Sequence, residues 1–349
     1  MNKGVLIIYT GGTIGSIQGS GNNASMYSAS WDLFEQKVKV LKNMKKHFKI
    51  DSYAFSPPID SANITPEYWR EIVGVIEKNY NNYEGFVVIH GTDTMVYTAS
   101  SLSFMLKNLG KPVIITGSQL PIIDRLRSDG EQNLITSLLL ANPKFSDLPV
   151  VPEVCILFGN KLLRGNRSRK ISASGFNAFD SPNYPPIAII GENISINTNL
   201  TGKIPKKNFS VQKNLDPNVI SFPVFPGIQN SKLMSKLFQL ENLKAVVLRS
   251  YGTGTVPTDN AFINEIKHAA NKGIIIVNVT QCIEGAVKKD VYETSASLIS
   301  NEILTGYDIT QEAALCKLMV LLGDKSLDSN KIKKVVQTSI AGELTKEVL

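Results

Sequence analysis

The sequence predicts an α/β protein with a larger N-terminal domain, built on a parallel-type sheet flanked by helices, and a smaller C-terminal α/β domain. Three observations carry this prediction. Short, continuous apolar runs alternate along the chain with amphipathic segments of helical periodicity. This alternation is interrupted once, by a polar stretch, and then resumes. With 349 residues, 43% of them hydrophobic, the chain is long enough to bury two cores of ordinary size.

Four apolar runs in the first half of the chain have the length and composition of buried parallel strands. They read "GVLIIYT", "GFVVIH", "VIITG" and "EVCILFG". Between them the pattern predicts an amphipathic stretch over 31–48, a helix over about 94–109 and another near 131–141. A further helix, "TPEYWREIVGVIEKNY", begins with Thr65 as its N-cap and Pro66 at its first position.

The interruption lies between about residues 182 and 217, where Pro, Asn and Lys accumulate, as in "NTNLTGKIPKKN". Such a composition is typical of an interdomain linker. We therefore predict an N-terminal domain over 1–195, a linker over 196–217 and a C-terminal domain over 218–349. In the last of these, "AVVLRSY", a helix after Thr258, "GIIIVNVT" and the helical "ITQEAALCKLMVLLG" restart the alternation.

The charge balance is basic, with 37 Lys and Arg against 30 Asp and Glu and a net charge of +7. This balance raises the alternative of a nucleotide- or RNA-binding α/β module. The densest basic run, "KVKVLKNMKKHFK" over 37–49, also carries apolar residues at helical spacing, so its lysines are predicted to form the wet face of an amphipathic helix. No phosphate loop and no interleaved aromatic and basic surface support the alternative. We expect no nucleic-acid partner.

Cysteine and histidine usage indicates neither a disulfide framework nor a metal site. Cys155, Cys282 and Cys316 lie far apart, form no CxxC and leave one thiol over, which favours a reducing compartment. The three histidines are scattered without ligand spacing. No apolar run approaches the length of a signal-peptide core or a membrane span. The expectation is a cytoplasmic protein without a cofactor.

The first of three polar turns comes directly after the first apolar run, as Gly11, Gly12, Thr13, Ile14 and Gly15. Turns at the carboxyl ends of parallel strands are where α/β proteins bind ligands. This turn does not fit the dinucleotide pattern GxGxxG or the P-loop, which needs Gly-Lys-Ser/Thr. By itself a GGTxG sequence is explained equally well by a tight structural turn.

The second turn, "HGTDTM", follows the run "FVVI" and opens a helix, so backbone N–H groups face the crevice. Thr92 and Asp93 stand where a substrate would bind, although N-capping by either residue is a plain alternative. His90 is interpreted as a packed or hydrogen-bonded histidine at the end of a strand, and not as a base.

The third segment, "LLRGNRSRKISASGF", contains one lysine, Lys170, in a stretch otherwise held by arginines. Most lysines are solvated, but a partly buried lysine beside Asp93 could take or relay a proton. A threonine hydroxyl is a poor nucleophile unless a neighbouring base removes its proton. The chain offers no GxSxG elbow or Ser-His-Asp set, so threonines with an Asp and a Lys remain.

Two of these segments, "YTGGTIGS" and "HGTDTMVYTASSLSFML", resemble the signature segments of bacterial-type L-asparaginases. Further segments occur in the order and spacing of the cytoplasmic, type I branch, so the resemblance covers nearly the whole chain. They are "TGSQLP", "RSDGEQNL", "LRGNR", "FDSPN", "LRSYGTG" and "NVTQC". The resemblance implies an amidohydrolase that converts L-asparagine and water to L-aspartate and ammonia.

Carried over by motif, the resemblance assigns the nucleophile to Thr13 and the second threonine, aspartate and lysine to Thr92, Asp93 and Lys170. Asp60 and Ser61, in "PPIDSANIT", would hold the α-amino and α-carboxylate groups of the substrate together with Asp93.

Tyr27 matches the tyrosine of a mobile lid, in a Gly-, Asn- and Ser-rich loop over 16–30 that is longer than expected. The resemblance also implies a homo-oligomer, either a dimer or a tetramer. In the same fold family, the alternative is the asparaginase-like subunit of a tRNA-dependent amidotransferase. Such a subunit normally carries an extra N-terminal domain, whereas the first strand here begins at about residue 4.

Some type I relatives bind a second asparagine in a regulatory pocket, and Arg249 and Cys282 stand at the matching positions. Arg169, however, replaces a small hydroxyl residue, and Thr255 replaces an asparagine. Arg169 would either fill the pocket or pair with the carboxylate of the effector. Filling needs no further adjustment, so we expect hyperbolic or only weakly cooperative kinetics. The choice between asparagine and glutamine stays open, because one methylene is worth only about 1–3 kcal/mol.

Overall fold

The chain is divided into two structural units, of which the first ends at Val211 and the second begins at Gln212. The computed structural model describes residues 3–19, 26–123, 125–228, 232–288 and 303–346. Each unit has a sheet with parallel strands and helices packed against it, and the first unit is the larger. The predicted fold class is confirmed.

The N-terminal unit contains fourteen strands among its described residues. In chain order they are β1 (Val5–Tyr9), β2 (Ser16–Gln18), β3 (Met26–Ser28), β4 (Ile50–Ala54), β5 (Gly85–Ile89), β6 (Leu106–Lys107), β7 (Val113–Thr116), β8 (Val154–Phe158), β9 (Lys161–Arg164), β10 (Arg169–Lys170), β11 (Phe179–Asp180), β12 (Ala188–Ile190), β13 (Ile194–Ile196) and β14 (Ser210–Val211). The helices are α1 (Trp31–Lys37), α2 (Lys39–Met44), α3 (Pro66–Asn79), α4 (Met95–Met105), α5 (Gly130–Ala141) and α6 (Pro143–Ser146). Single 3-10 turns cover Thr13–Gly15, Ser61–Asn63 and Gly165–Arg167.

The large sheet has the strand order β13-β12-β9-β8-β7-β5-β1-β4. Pairing is parallel from β4 to β8 and antiparallel from β8 through β9 and β12 to β13. The four predicted apolar runs are the neighbouring strands β1, β5, β7 and β8, and every residue of each is buried. They have no polar face because helices cover both sides of a parallel sheet.

The strand order places a topological switch between β1 and β5. The chain leaves β1 toward β4 on one side and leaves β5 toward β7 on the other. Connections that part in this way leave a crevice at the carboxyl ends of the two strands, where open α/β sheets bind ligands. The first two polar turns of the sequence follow these two strands.

The basic stretch over 31–48 folds as two helices, α1 and α2, rather than as one. The helical path breaks at Val38, whose ψ of 94° is extended. All six lysines between residues 37 and 49 are exposed, as predicted for a wet face. The buried side chains of this region include Trp31, Phe34 and Leu41, which join the core beneath the sheet.

The C-terminal unit contains the strands β15 (Val219–Pro223), β16 (Ala245–Ser250), β17 (Ile275–Thr280) and β18 (Ile303–Thr305). They form one parallel sheet in that order. Its helices are α7 (Leu233–Leu237), α8 (Asn260–Asn271), α9 (Gln311–Gly323) and α10 (Ser329–Val336). The predicted restart of the alternation is therefore present.

Within the segment predicted as a linker, β14 pairs antiparallel with β6. Next to this pair the ring of Phe209 stacks on Tyr80 with centroids 3.7 Å apart. The domain boundaries proposed from the sequence stay a prediction. In the described part of the chain, no helix is both long and apolar enough to cross a membrane.

Candidate active site

The turn after β1 is held so close to neighbouring backbone that only glycine fits. Gly11 and Gly12 have φ values of 122° and 91°, in the region that favours glycine. A Cβ on Gly12 would lie 2.5 Å from the nitrogen of Gly91, and one on Gly11 would lie 2.6 Å from the oxygen of Ile59. The turns after β1, β4 and β5 therefore meet backbone to backbone.

Thr13 begins the 3-10 turn directly after these glycines and is half-buried. The turn is fixed from two sides. The N–H of Gly12 donates to Ser28 Oγ at 3.0 Å, and the Ser28 hydroxyl lies 3.3 Å from the oxygen of Gly12. On the other side, the N–H of Ile122 donates to the oxygen of Ile14 at 3.0 Å. The backbone on both sides of Thr13 is thus held by hydrogen bonds at the carboxyl end of β1.

The turn after β5 carries Thr92, which is buried, and Asp93, which is exposed. Helix α4 has Thr94 as its N-cap, without a side-chain capping bond. Neither Thr92 nor Asp93 therefore serves as the cap, which removes the plain alternative that the sequence left open for these two residues.

Lys170 lies against this turn, 77 residues further along the chain than Asp93. The short antiparallel pair of β10 and β11 fixes its backbone. Its Nζ donates to Thr92 Oγ1 at 2.9 Å and to Asp93 Oδ1 at 2.7 Å. The side chain of Lys170 is only 19% exposed, whereas that of Asp93 is 64% exposed. A threonine, a lysine and an aspartate predicted to act together are in direct contact.

Asp60 and Ser61 lie in the turn that follows β4 and reach the same edge of the sheet. The N–H of Ile59 donates to the oxygen of Thr10 at 2.7 Å, which ties this turn to the end of β1. The hydroxyl of Thr94 donates to the oxygen of Ser61 at 2.6 Å. Ser61 is buried and Asp60 exposed, with Asp60 Oδ1 accepting from the N–H of Ala62 at 3.1 Å.

Tyr27 lies in β3, which pairs antiparallel with β2 and places Tyr27 opposite Ile17. Its side chain is 54% exposed. The next residue, Ser28, is the one that contacts Gly12, so the hairpin is anchored at the turn that carries Thr13. Residues 20–25 of the predicted lid lie outside the described residues.

His90 is fully buried and hydrogen-bonded on both ring nitrogens. Nδ1 lies 2.7 Å from the oxygen of Gly91, and Nε2 lies 2.8 Å from Thr98 Oγ1. The indole N–H of Trp69 donates to the same Thr98 oxygen at 3.0 Å. Burial lowers the pKa of His90 to about 4. These contacts agree with a packed, neutral histidine, and they involve two residues, Trp69 and Thr98, that sequence reasoning did not single out.

The residues predicted for a regulatory pocket lie in both units. Arg249 is at the end of β16 and Cys282 follows β17, whereas Arg169 precedes Lys170 in the N-terminal unit. Gln281 Nε2 donates to the oxygen of Arg249 at 2.8 Å, and the thiol of Cys282 is exposed. Within the described residues, Nε of Arg249 is buried without a hydrogen-bond partner.

No group of three His, Cys, Asp or Glu side chains in the described ranges is arranged to hold a metal ion. The candidate site consists of hydroxyl, carboxylate and ammonium groups with closely packed backbone.

Comparison with known proteins assigns the family. Residues 4–202 match the family "Asparaginase, N-terminal", and residues 218–336 match "Glutaminase/Asparaginase C-terminal domain". The chain belongs to the asparaginase family. L-asparaginase 1 of Escherichia coli strain K12 is 40% identical over 349 residues, which is 98% of each chain.

A solved relative supports this membership. The crystal structure of L-asparaginase I from Vibrio cholerae is similar with a TM-score of 0.87 and 38% sequence identity, covering 99% of this asparaginase-family chain and 100% of that one. The 60 kDa lysophospholipase of Mus musculus is 43% identical over 290 residues, 83% of this chain. The chain spans about half the length of that mouse protein, 50%.

Proposed function

We propose that this asparaginase-family protein hydrolyses L-asparagine to L-aspartate and ammonia through an acyl-threonine intermediate on Thr13. The observation that carries the proposal is the contact of the Lys170 ammonium with both Thr92 and Asp93, at 2.9 Å and 2.7 Å, beside the turn of Thr13. With one lysine and one aspartate beside them, a pair of threonines can provide an activated hydroxyl group without a histidine, a serine or a metal ion.

In the first half of the reaction, the Thr13 oxygen attacks the side-chain amide carbon of asparagine. The hydroxyl proton of Thr13 is transferred to a neighbouring group. The amide carbonyl oxygen of the substrate becomes an oxyanion that backbone N–H donors stabilise. Collapse of this tetrahedral intermediate breaks the C–N bond, and the nitrogen takes up a proton to leave as ammonia. The aspartyl group remains on Thr13 as an ester.

In the second half, water attacks the ester carbon and gives a proton to the Thr92 oxygen, which stays hydrogen-bonded to the Lys170 ammonium, while Thr92 passes its own hydroxyl proton on toward the Thr13 oxygen. The C–O bond to Thr13 breaks, the Thr13 oxygen regains a proton, and aspartate leaves. Because Lys170 Nζ contacts both Thr92 Oγ1 and Asp93 Oδ1, Asp93 orients the ammonium while Thr92 connects it to the reacting atoms.

The α-amino and α-carboxylate groups of asparagine require partners of both signs. Asp93 and Asp60 are exposed carboxylates suited to the substrate ammonium, and the Ser61 hydroxyl and nearby backbone suit the substrate carboxylate. The hydrogen bond from Thr94 to Ser61 supports a fixed spacing between the two groups of residues. Tyr27, on a hairpin anchored at Gly12, is proposed to close over bound substrate and exclude water.

We further propose that the protein is cytoplasmic and works as a homo-oligomer, either a dimer or a tetramer. The C-terminal domain of one subunit would complete the active site of its neighbour, as the family resemblance implies. Sedimentation of the active enzyme tests the assembly. A fully active monomer would refute it.

An ammonia-release assay with L-Asn, L-Gln and D-Asn side by side tests the activity. We expect turnover with L-Asn and none with D-Asn, whose α groups cannot reach Asp60, Ser61 and Asp93 together, and the rate with L-Gln measures the selectivity that the sequence leaves open. The Thr13→Ala variant is the matched control for contaminating amidases. Equal ammonia release by Thr13→Ala and wild type, or no release with L-Asn, would contradict the proposal.

A further inference from the structure

A buried chain of hydrogen bonds runs from helix α3 through helix α4 to the turn that carries Thr92. It joins Trp69 Nε1 to Thr98 Oγ1 at 3.0 Å, Thr98 Oγ1 to His90 Nε2 at 2.8 Å, and His90 Nδ1 to the oxygen of Gly91 at 2.7 Å. Trp69 is 5% exposed, and Thr98 and His90 are 0% exposed. The reaction proposed above uses none of these side chains.

The chemistry of the two ends, together with the neutral state of the buried imidazole, whose pKa burial lowers to about 4, fixes every proton in this chain. The carbonyl of Gly91 can only accept, so Nδ1 of His90 must carry a proton and donate. The indole of Trp69 can only donate, so the Thr98 oxygen accepts there. The Thr98 hydroxyl then donates to Nε2, which is the unprotonated nitrogen of a neutral imidazole. His90 is therefore confined to its Nδ1–H tautomer.

The carbonyl that receives this hydrogen bond belongs to the peptide that precedes Thr92. A peptide unit is planar, so holding the oxygen of Gly91 also fixes the direction of the Thr92 N–H and the position of the Thr92 Cα, from which the side chain extends. The neighbourhood leaves little other freedom. A Cβ on Gly91 would lie 2.5 Å from Ser61 Oγ, and the N–H of His90 donates to the oxygen of Thr116 at 2.8 Å.

We propose that His90 is a positioning residue for Thr92: its Nδ1–H holds the Gly91–Thr92 peptide so that the Thr92 hydroxyl meets Lys170, and Thr98 with Trp69 sets the tautomer. This inference rests on the proposed role of Thr92 in asparagine hydrolysis. The low pKa of His90, about 4, keeps the imidazole neutral across the neutral pH range.

The tautomer can be observed by nitrogen NMR of the histidine rings. The chain has three histidines, and His47 and His268 are exposed, so His47→Gln and His268→Gln assign their own signals and leave that of His90. We expect the His90 ring to show a protonated Nδ1 and an unprotonated Nε2, with no titration between pH 8 and about pH 5. A protonated Nε2, or titration near the ordinary pKa, would overturn the proposal.

Positioning can be tested by Thr98→Val, with Thr98→Ser as its matched control. Valine has nearly the shape of threonine but can neither donate to His90 nor accept from Trp69, whereas serine keeps the hydroxyl. We expect Thr98→Val to lower kcat for asparagine by about tenfold or more while KM stays within about twofold. Thr98→Ser should stay close to wild type in both constants.

A purely structural role for the chain predicts a different result. Thr98→Val would then lower the thermal transition but leave the kcat of the remaining folded protein unchanged, which would refute positioning. A crystal structure of Thr98→Val gives a readout that does not depend on activity. We expect the 2.9 Å contact of Lys170 Nζ with Thr92 Oγ1 to be lost there, and an unchanged contact would also refute the proposal.

Failure of the proposed function is separable from failure of this inference. If the wild type released no ammonia from asparagine, the proposed function would fall, while the tautomer and the Thr98→Val structure would still decide whether His90 positions Thr92.

Discussion

The Nζ of Lys170 lies 2.9 Å from the hydroxyl oxygen of Thr92, across 78 residues of sequence. The lysine reaches this position from a two-residue strand, and the threonine from the turn after a buried strand. Because the Thr92 oxygen accepts from the ammonium, its own proton is directed to another acceptor. This orientation suits a relay between Lys170 and a substrate or water in the crevice.

Removal of either threonine hydroxyl is expected to abolish hydrolysis without unfolding the protein. Thr13→Ala and Thr92→Val should each lower kcat/KM for asparagine by about a thousandfold or more. Both hydroxyls serve chemistry rather than packing, so the thermal transition should move by only a few degrees. Thr13→Ser, which keeps a hydroxyl, should retain measurable turnover. Substantial activity in Thr13→Ala would remove Thr13 as the nucleophile.

The elements of the fold that are determined by residues close together in the sequence could be predicted from it. The four buried strands were evident because a strand covered on both faces must be apolar throughout. The antiparallel end of the large sheet was not predicted, although a signal was present. The dipeptide Gly159-Asn160, between β8 and β9, is a pair typical of two-residue hairpins.

The parts of the site that depend on distant partners could not be found in the same way. Trp69 has the periodicity of a core-facing helical residue, and nothing in that pattern reveals where its indole N–H is bonded. Ser28 contacts Gly12 only because the chain returns as a hairpin. In contrast, Thr92 and Asp93 directly follow an apolar run, and Lys170 stands out among arginines, so these three were predictable.

Tyr27 is expected to act on closure of the lid rather than on initial binding. Tyr27→Phe should lower kcat far more than it raises KM, because the hydroxyl contributes only after the hairpin closes. Limited proteolysis gives a second readout. Cleavage in the 16–30 loop should slow when aspartate is bound. If Tyr27→Phe behaves like the wild type, another residue of this loop has the role.

We expect the predicted regulatory pocket to have little or no effect on the dependence of the rate on asparagine concentration. Initial rates should rise hyperbolically, or with only weak cooperativity, as the asparagine concentration increases, and Arg249→Ala should leave the shape of the curve unchanged. Arg169 stands where the family resemblance expects a small hydroxyl side chain, so its bulk is expected to fill the space of a second bound amino acid. A coupling of only about 1–3 kcal/mol would make cooperativity visible. A clearly sigmoidal curve that Arg249→Ala abolishes would contradict this prediction.

The buried imidazole of His90 predicts a loss of stability in mild acid. Burial lowers its pKa from 6.5 to about 4, so between these values the unfolded chain binds the proton and the folded protein does not. The free energy of unfolding should therefore fall as pH falls, by about 2 kcal/mol from pH 7.5 to pH 5.

Urea unfolding at a series of pH values measures this slope. The His47→Gln variant, which removes an exposed histidine, should show the same slope as wild type. A free energy of unfolding that stays constant from pH 7.5 to pH 5 would mean that His90 is not held neutral.

The covalent step on Thr13 is the central claim, and peptide mass spectrometry after an acid quench tests it most directly. Wild-type enzyme saturated with L-asparagine and quenched during turnover should carry one aspartyl ester on the peptide that contains Thr13, and Thr13→Val should carry none. The Lys170→Met variant, in which deacylation is expected to be slower, should accumulate more of the ester. An ester on the peptide that contains Thr92, or steady turnover without an ester on Thr13 in either wild type or Lys170→Met, would contradict the account.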